Sequence, residues 1–274
     1  MAIFAIAREL AACGEEVAEE LTKLTGYRTV DRSRLEARLA ASGINEDKRK
    51  KYDEKRPGLW ASLSQERDDY LHYLKTAIFE EAAEGACVIV GRGATALLKE
   101  LPNVVSVRVV APRALRMERV MAQFGCNEKR AHQLLEQSDH DRAGFQKYFF
   151  SLDWRDPAEY SLSISMSGRP SPAEAAALIE DYRRLVVTEA EEKAGTKRMG
   201  ELLLGQRVVT EIVYGKRIPL HFLEAEVQGG KVLLHGVSNT QAAIEAAIAA
   251  AKTLPGVGEV SSAIQVVQEF TVMP

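Results

Sequence analysis

The stretch that decides the fold is ARELAACGEEVAEEL, residues 7–21, which follows the apolar run 3–7. An apolar strand, a short turn ending in Gly14 and an amphipathic helix form the corner in which phosphate-binding loops are built, because the first N–H groups of a helix are unpaired. A P-loop also supplies a lysine for the outer phosphates and a hydroxyl for magnesium. Glu15 and Glu16 follow Gly14 instead. These residues alone leave two alternatives, a phosphate-binding loop and an ordinary strand–helix corner with acidic capping.

The composition is that of a globular protein. The 274 residues are 46% hydrophobic and 27% charged with a net charge of −3, so nothing favours nucleic acid as the main partner. The cysteines Cys13, Cys87 and Cys126 are odd in number and far apart, which indicates free thiols in a reducing compartment. We expect no signal peptide, because Arg8 and Glu9 interrupt the apolar start, and no membrane span. We therefore expect a cytoplasmic location.

The first part of the chain alternates short apolar runs with helical patterns. Strands are predicted at 3–7, 86–90, 104–110 and 161–165. Helices are predicted at 15–25, 64–84, 113–124, 127–149 and 172–187. This alternation predicts an α/β fold, a parallel sheet flanked by helices. Ligands bind at the carboxyl ends of the strands in such sheets, so the residues after Ala7, Val90 and Val110 are the first candidates for a site.

A second, smaller domain follows. The segment 189–198 is charged and carries no apolar stripe, so we place a linker there, between a first domain at 1–188 and a second at 199–274. The second domain is predicted to be an α+β module. Its elements are a helix at 199–213, a hairpin turning at Gly229-Gly230, a helix at 239–253 that starts from an Asn239 cap, and a final strand.

Two groups of charged residues, mostly arginines, are candidates for a phosphate-binding site. Gly91-Arg92-Gly93 ends a strand at the edge where ligands bind, and arginine binds phosphate bidentately; the alternative is a glycine turn with a solvated arginine. The second group lies on two predicted helices and comprises Arg113, Arg116, Arg119, Lys129, Arg130, Asp139, Arg142 and Lys147. Arginines on a helical lid stabilise a transferring phosphoryl group, although most charged residues on helices are simply solvated. The five histidines show no metal-ligand spacing, so no metal site is predicted.

Together these motifs resemble the cytidylate kinase-like family, a branch of the P-loop nucleoside-monophosphate kinases. The resemblance covers about residues 3–182 and includes, in order, AREL..CGEEVAEEL, GYRTVDR (26–32), VIVGRGA (88–94), VRVVAPRALRMERV (107–120), DHDR (139–142) and DWRDPAEYSLSIS (153–165). It implies a P-loop kinase-like parallel sheet, ATP and Mg²⁺ as cosubstrate, and phosphoryl transfer to CMP, dCMP or a related small acceptor.

The resemblance also assigns roles to residues. It implies a nucleotide on the first loop and an acceptor monophosphate near the 31–32 and 91–93 segments. The implied catalytic lid residues are Arg116, Arg119 and Arg142. The predicted nucleotide- and phosphate-binding residues are Arg8, Gly14, Asp31, Arg32, Gly91, Arg92, Gly93 and Asp139.

The chain departs from the family pattern mainly on the donor side. The family loop is usually G-S-G-G followed by a basic residue, whereas this chain has Ala11-Ala12-Cys13-Gly14 followed by Glu15, a degenerate Walker A. Glu15 would repel a triphosphate by about 1–4 kcal/mol unless its side chain turns away. Tyr160-Ser161 and Ser165-Met166 replace the family's tyrosine–aspartate and asparagine–threonine pairs, while Asp31, Arg32 and Arg92 remain on the acceptor side.

Two functional hypotheses follow. The first is an ATP-dependent phosphotransferase in which Arg8 or a lid residue replaces the missing lysine. The second is a catalytically impaired protein that senses a nucleotide or acts as a scaffold. The stretch KVLLHGVSNTQAAIEAAIAAAKTLPGVGEVSSAIQVV, 231–267, resembles a BON domain, which implies a phospholipid, another ligand or a protein as partner. A module for dimerisation or packing is the alternative, so a homo-oligomer is one of the expected assemblies.

Overall fold

The computed structural model describes residues 1–42 and 65–267, and the chain divides into two compact units, Met1–Thr196 and Lys197–Pro274. The division lies inside the segment 189–198. Those residues are helical, because they belong to one continuous helix, Glu189–Val209. The helix predicted to start at 199 therefore starts ten residues earlier, and its first turns have no apolar stripe that would have revealed them.

The first unit is built on a five-stranded parallel sheet. Its strands are β1 (Ile3–Arg8), β2 (Arg28–Val30), β3 (Cys87–Val90), β4 (Val104–Val110) and β5 (Leu162–Ser165). Their order is β2-β3-β1-β4-β5, so β1 lies at the centre with β3 and β4 on either side. Ile6 of β1 is in register with Val90 of β3 and with Val107 of β4. The carboxyl ends of these three strands therefore meet at one edge, which is where the sequence predicts the site.

Helices connect and flank these strands. They are α1 (Gly14–Thr25), α2 (Arg32–Ala41), α3 (Gln65–Ala83), α4 (Ala94–Leu97), α5 (Arg113–Phe124), α6 (Glu128–Phe150), α7 (Pro172–Val186) and α8 (Glu189–Val209), with a 3₁₀ turn at Pro157–Glu159. The predicted α/β fold is confirmed, and most predicted bounds are within two residues of those observed. Residue 64, where α3 was predicted to begin, lies outside the described residues.

Apolar burial explains why the central strands could be read from the sequence. Phe4 and Ile6 of β1 are fully buried, as are Val17 on α1, Val107 on β4 and Ile179 on α7, and all five belong to one core cluster. Each such side chain contributes about 1.5–3 kcal/mol relative to exposure. Because helices cover both faces of the sheet, β1 is apolar at successive positions rather than at alternate ones.

β2 and α2 were not predicted, because charge rather than apolar periodicity holds them in place. Leu35 and Leu39 are the buried residues of α2. Glu81 of α3 has a side chain only 1% exposed, and its carboxylate accepts hydrogen bonds from arginines of β2 and α2. The donors are Arg28, Arg34 and Arg38. Burial alone raises the pKa of Glu81, but these hydrogen bonds outweigh burial and hold the pKa below its usual value.

The second unit is a small mixed sheet with helices. Its strands are β6 (His221–Gln228), β7 (Lys231–Ser238), β8 (Val260–Ser262) and β9 (Gln265–Val266), its helix α9 spans Gln241–Lys252, and a π-helical turn spans Thr210–Gly215. β6 and β7 form the predicted hairpin, in which Gly229 and Gly230 have φ values of 57° and 80°. The predicted Asn239 cap is wrong: Thr240 caps α9, because its hydroxyl accepts from the N–H of Ala243 at 3.2 Å.

The structure contains no helix that is both long enough and apolar enough to cross a membrane within residues 1–42 and 65–267.

Candidate functional site

Two residues of the loop between β1 and α1 have backbone angles that glycine adopts most easily, although neither is a glycine. Ala11 and Cys13 have φ values of 59° and 64°, in the left-handed region that glycine occupies most easily. They stand at the first and third positions of the family pattern G-S-G-G, both of which are glycine in that pattern. Burial, with a smaller effect of Glu16, raises the pKa of the Cys13 thiol, which favours its neutral form. The loop therefore places two non-glycine residues in a backbone conformation that glycine adopts at lower cost.

Gly14 is required by the side chain of Arg8. A Cβ atom on Gly14 would lie 2.4 Å from the Arg8 Cβ and 2.6 Å from its Cγ, so the arginine crosses directly over the start of α1. Its Nε then donates to Glu15 Oε1 at 2.8 Å. The Glu15 carboxylate therefore pairs with a guanidinium, and the two charges offset each other at the mouth of the loop.

Two arginines of α5 hold the main chain of this loop. Arg116, only 4% exposed, donates from Nε to the carbonyl of Leu10 at 2.8 Å. Its two terminal nitrogens donate to the carboxylate of Asp139 on α6 at 2.6 and 3.1 Å. Arg119 donates to the carbonyl of Ala11 at 3.0 Å. The structure thus places Arg116, Arg119 and Asp139 behind the loop, where they fix its conformation.

Glu9 completes this support and was missed by the sequence analysis. Its carboxylate accepts from Arg108 of β4 at 3.2 Å, from Arg116 at 3.2 Å and from the N–H of Ala111 at 3.3 Å. One acidic side chain thereby ties the loop to β4 and α5. One signal in the sequence could have identified it. Glu9 comes directly after the buried strand β1, and the neighbouring parallel strand β4 contains Arg108.

A cleft lies at the carboxyl ends of β1 and β3 and is closed on one side by α6. It is lined by Ile6, Ala7, Arg8, Gly91, Arg92, Gly93, Thr95, Arg142, Phe145, Gln146 and Trp154. Its interior volume of about 20 Å³ is room for a water molecule, so a phosphate group enters only if the cleft widens. Arg8, Arg92 and Arg142 bring three positive charges from three separate elements to this one place.

The Gly91-Arg92-Gly93 turn buries its arginine. All three residues have positive φ values of 77°, 54° and 76°, and a Cβ on Gly93 would lie 2.3 Å from the Phe150 ring. Arg92 is 2% exposed and donates to Glu36 Oε1 of α2 at 2.8 Å. The alternative of a solvated arginine is therefore wrong. A buried guanidinium needs an anion, and Glu36 provides one from within the chain.

Asp31 and Arg32 stand at the start of α2 and not in the lining of the cleft. Asp31 caps the helix, because its side chain accepts from the N–H of Arg34 at 2.9 Å. Arg32 donates to Glu36 at 2.8 Å, to the same oxygen that Arg92 binds. The hydrogen bond and the charge of Arg32, followed by the charge of Arg92, hold the pKa of Glu36 below its usual value. Arg32 is therefore linked to Arg92 of the cleft through Glu36, whereas Asp31 serves as a helix cap.

The predicted lid arginines occupy two different places. Arg142 of α6 lines the cleft beside Phe145 and Gln146, and its guanidinium also donates to the hydroxyl of Ser138 one turn earlier. Arg116 and Arg119 lie at the loop, as described above. Arg142 is the one of the three that the structure groups with Arg8 and Arg92.

The residues of the loop do not fit a magnesium–triphosphate group. Glu15 and Glu16 occupy the positions after Gly14 where a P-loop has its lysine and hydroxyl, and the guanidinium of Arg8 is paired with Glu15. In the described ranges 1–42 and 65–267, no group of three His, Cys, Asp or Glu side chains is arranged to hold a metal ion. We therefore derive no chemical step through ATP or Mg²⁺.

Fold and loop together define a P-loop kinase-like protein. The model of the cytidylate kinase-like family matches residues 3–168, and that of the BON domain matches residues 203–268. The chain belongs to the cytidylate kinase-like family and carries a C-terminal BON domain. No curated protein matches the chain.

Solved structures match over the first unit. An uncharacterized protein from Eubacterium ventriosum ATCC 27560 is 22% identical with a TM-score of 0.53, over 67% of this chain and 99% of that one. The shikimate kinase from Aquifex aeolicus is 14% identical with a TM-score of 0.36, over 66% and 96% of the two chains. A gluconokinase from Sinorhizobium meliloti 1021 is 15% identical with a TM-score of 0.37, over 68% and 93%. At 22% identity, the first of these matches shows that the two proteins share a fold and nothing further.

Proposed function

We propose that the first unit binds the phosphate group of a nucleoside monophosphate of the CMP type in the cleft at the ends of β1 and β3. The observation that carries this proposal is the meeting of Arg8, Arg92 and Arg142 in one cleft. Arginine is the side chain best suited to phosphate, because its planar fork donates two parallel hydrogen bonds. The carboxyl edge of a parallel sheet is also where this class of fold binds its ligands.

We further propose that transfer of a phosphoryl group from ATP is strongly impaired, so that the protein acts as a nucleotide sensor or scaffold. The Arg8–Glu15 pair stands where a triphosphate needs uncompensated positive charge. Arg116, a predicted catalytic residue, is engaged by Glu9, Asp139 and the carbonyl of Leu10. In this proposal the acceptor side of the site has been retained and the donor side has been lost.

One observation favours the second candidate, an active cytidylate kinase-like transferase. Ala11 and Cys13 keep left-handed backbone angles, although these cost an ordinary residue about 1–2 kcal/mol each. Arg119 and Arg116 hold the loop in that conformation through its carbonyl groups. A loop maintained against strain is a feature of functional sites. An active enzyme would need Arg8 to leave Glu15 when ATP binds.

Both candidates are tested on the full chain by calorimetric titration with CMP and dCMP, and by measuring ADP formation from CMP, ATP and Mg²⁺. We expect CMP or dCMP to bind and ADP formation to stay at the level of a reaction without protein. ADP formation that depends on CMP would establish the transferase instead. Absence of binding by every monophosphate tried would refute the phosphate site itself.

A further inference from the structure

Trp154 is a member of the cleft lining to which neither the motifs nor the proposed function gives a role. It lies in the segment between α6 and the 3₁₀ turn and is 3% exposed. Its indole Nε1–H is buried and finds no acceptor in the part of the chain that the structure describes. Buried donors in folded proteins are nearly always paired, so such a group requires an explanation.

The ring is held firmly in position. The guanidinium of Arg108 lies over the indole at 5.3 Å from the ring centroid, and the same arginine donates to the carbonyl of Arg155 at 3.1 Å. Tyr160 donates its hydroxyl hydrogen to the carbonyl of Trp154 at 2.8 Å. Burial raises the pKa of Tyr160 to about 12, so this hydroxyl remains a donor throughout the neutral range. Arg108 therefore covers one face of the indole, and hydrogen bonds hold the backbone carbonyls of Trp154 and Arg155.

The surroundings determine which acceptor suits the indole N–H. Tryptophan is a hydrogen-bond donor only. Arg8, Arg92 and Arg142 line the same cleft, and each contributes positive charge and further donors. A neutral donor beside three guanidinium groups matches an oxygen that is anionic and can accept several hydrogen bonds at once. A phosphate oxygen has both properties.

We propose that the indole Nε1–H of Trp154 donates a hydrogen bond to an oxygen of the phosphate group that binds in the cleft. Trp154 is then a specificity-determining residue, since it selects a ligand that presents an oxygen acceptor to this part of the cleft lining. This inference rests on the proposed function, because it identifies one contact of the same phosphate.

The test compares the wild-type chain with Trp154→Phe, which keeps an aromatic ring under Arg108 and removes the N–H. We expect the affinities for CMP and for inorganic phosphate to fall about tenfold, as for loss of a hydrogen bond to a charged group. The affinity for cytidine should stay the same. The melting temperature without ligand should be unchanged or higher, because an unpaired buried donor has been removed.

Three outcomes would overturn the inference, and they differ in what they leave standing. Equal CMP affinity of wild type and Trp154→Phe would refute the contact and leave the phosphate site intact. A loss of affinity for cytidine but not for inorganic phosphate would place the N–H on the nucleoside, against the proposal. Absence of phosphate and CMP binding by the wild type would refute both the inference and the proposed function.

A second measurement keeps the tryptophan in place. The chain has two tryptophans, and Trp60 lies outside the described residues. In a Trp60→Phe variant all indole emission comes from Trp154. Addition of inorganic phosphate should change the emission maximum or intensity of this variant, because the ligand binds directly to the indole N–H. Emission that does not respond to saturating phosphate would contradict the proposal.

Discussion

Arg8 reaches across Gly14 to donate its Nε hydrogen to Glu15 at 2.8 Å. Each of these three residues depends on the others. A larger residue at position 14 would collide with the arginine, and the arginine pairs with the carboxylate of the next residue. The pair places a carboxylate beside the arginine at the start of α1, where a P-loop carries a lysine. Because of this pairing, we propose that a nucleotide binds in the cleft and that phosphoryl transfer at the loop is impaired.

The first prediction concerns this pair. Glu15→Gln removes the carboxylate charge and leaves the shape of the side chain, so residue 15 no longer repels a polyphosphate at the loop. Because Glu15 is 59% exposed, the relief of repulsion is at the solvent-screened limit of about 1 kcal/mol, and ATP affinity should rise about fivefold. Calorimetric titration with ATP measures the change. Glu20→Gln, on the same helix but paired with Lys23, is the control and should leave ATP affinity as in wild type.

The second prediction concerns the strained backbone of the loop. Ala11 has a φ of 59°, so Ala11→Gly should stabilise the first unit by about 0.5–1 kcal/mol, the relief of strain less the entropic cost of glycine. The neighbouring Ala12 is fully buried and is not among the residues with positive φ. Ala12→Gly should therefore destabilise by a similar amount. Denaturant unfolding of both variants tests the pair, and stabilisation by neither or by both would contradict the strain argument.

The third prediction concerns competition within the cleft. Glu36 binds Arg92 at 2.8 Å and so occupies part of the positive charge that a phosphate would use. Glu36→Gln should bind inorganic phosphate several-fold more tightly than wild type and should be less stable without ligand, because Arg92 is buried. Titration and thermal unfolding measure the two effects. Weaker phosphate binding by Glu36→Gln would show that Arg92 takes no part in the site.

The fourth prediction concerns the buried carboxylate of Glu81. Glu81→Gln leaves three arginines around a neutral side chain and should destabilise the first unit by about 2–3 kcal/mol, since those arginines are partly exposed. Glu84→Gln removes a carboxylate that is 45% exposed and pairs with the same three arginines. That control should cost less than about 1 kcal/mol. Equal effects of the two substitutions would refute the role given to burial.

The same carboxylate makes stability depend on pH in a known direction. The pKa of Glu81 is lower in the folded chain than its usual value of 4.5. A group of this kind stabilises the fold fully above the unfolded pKa and loses that contribution as the pH falls through the folded pKa. The free energy of unfolding of the wild type should therefore fall more steeply below about pH 4.5 than that of Glu81→Gln. Parallel curves would contradict the assignment.

The sequence predicts those parts of the fold that depend on apolar periodicity. β4 and α5 were located to the residue, because buried valines and a regular helical face mark them. α2 was missed, because Leu35 and Leu39 are too few to form a pattern and its arginines bind a carboxylate 43 and 47 residues away. The position of α2 depends on Glu81, which lies too far along the chain to be included in a local sequence window.

Only part of the candidate site could be predicted, because some of its residues lie at strand ends and others depend on tertiary contacts. The residue types at the ends of β1 and β3 identified Arg8 and Arg92, because parallel strands bring their carboxyl ends together. Arg142 joins them through the path of α6. Trp154 and Glu9 were not identified, since their roles come from contacts with residues distant in sequence, such as Arg108. Sequence patterns show which chemistry is available, and tertiary contacts decide which side chains share a cleft.

The central claim is that the cleft binds the phosphate of a nucleotide, and titration with CMP and with cytidine tests it most directly. The wild type should bind CMP at least tenfold more tightly than cytidine. Arg142→Ala should remove most of that difference, whereas Arg130→Ala, on the same helix but outside the lining of the cleft, should preserve it. Equal affinities of the wild type for CMP and cytidine, or an unchanged preference in Arg142→Ala, would contradict the account.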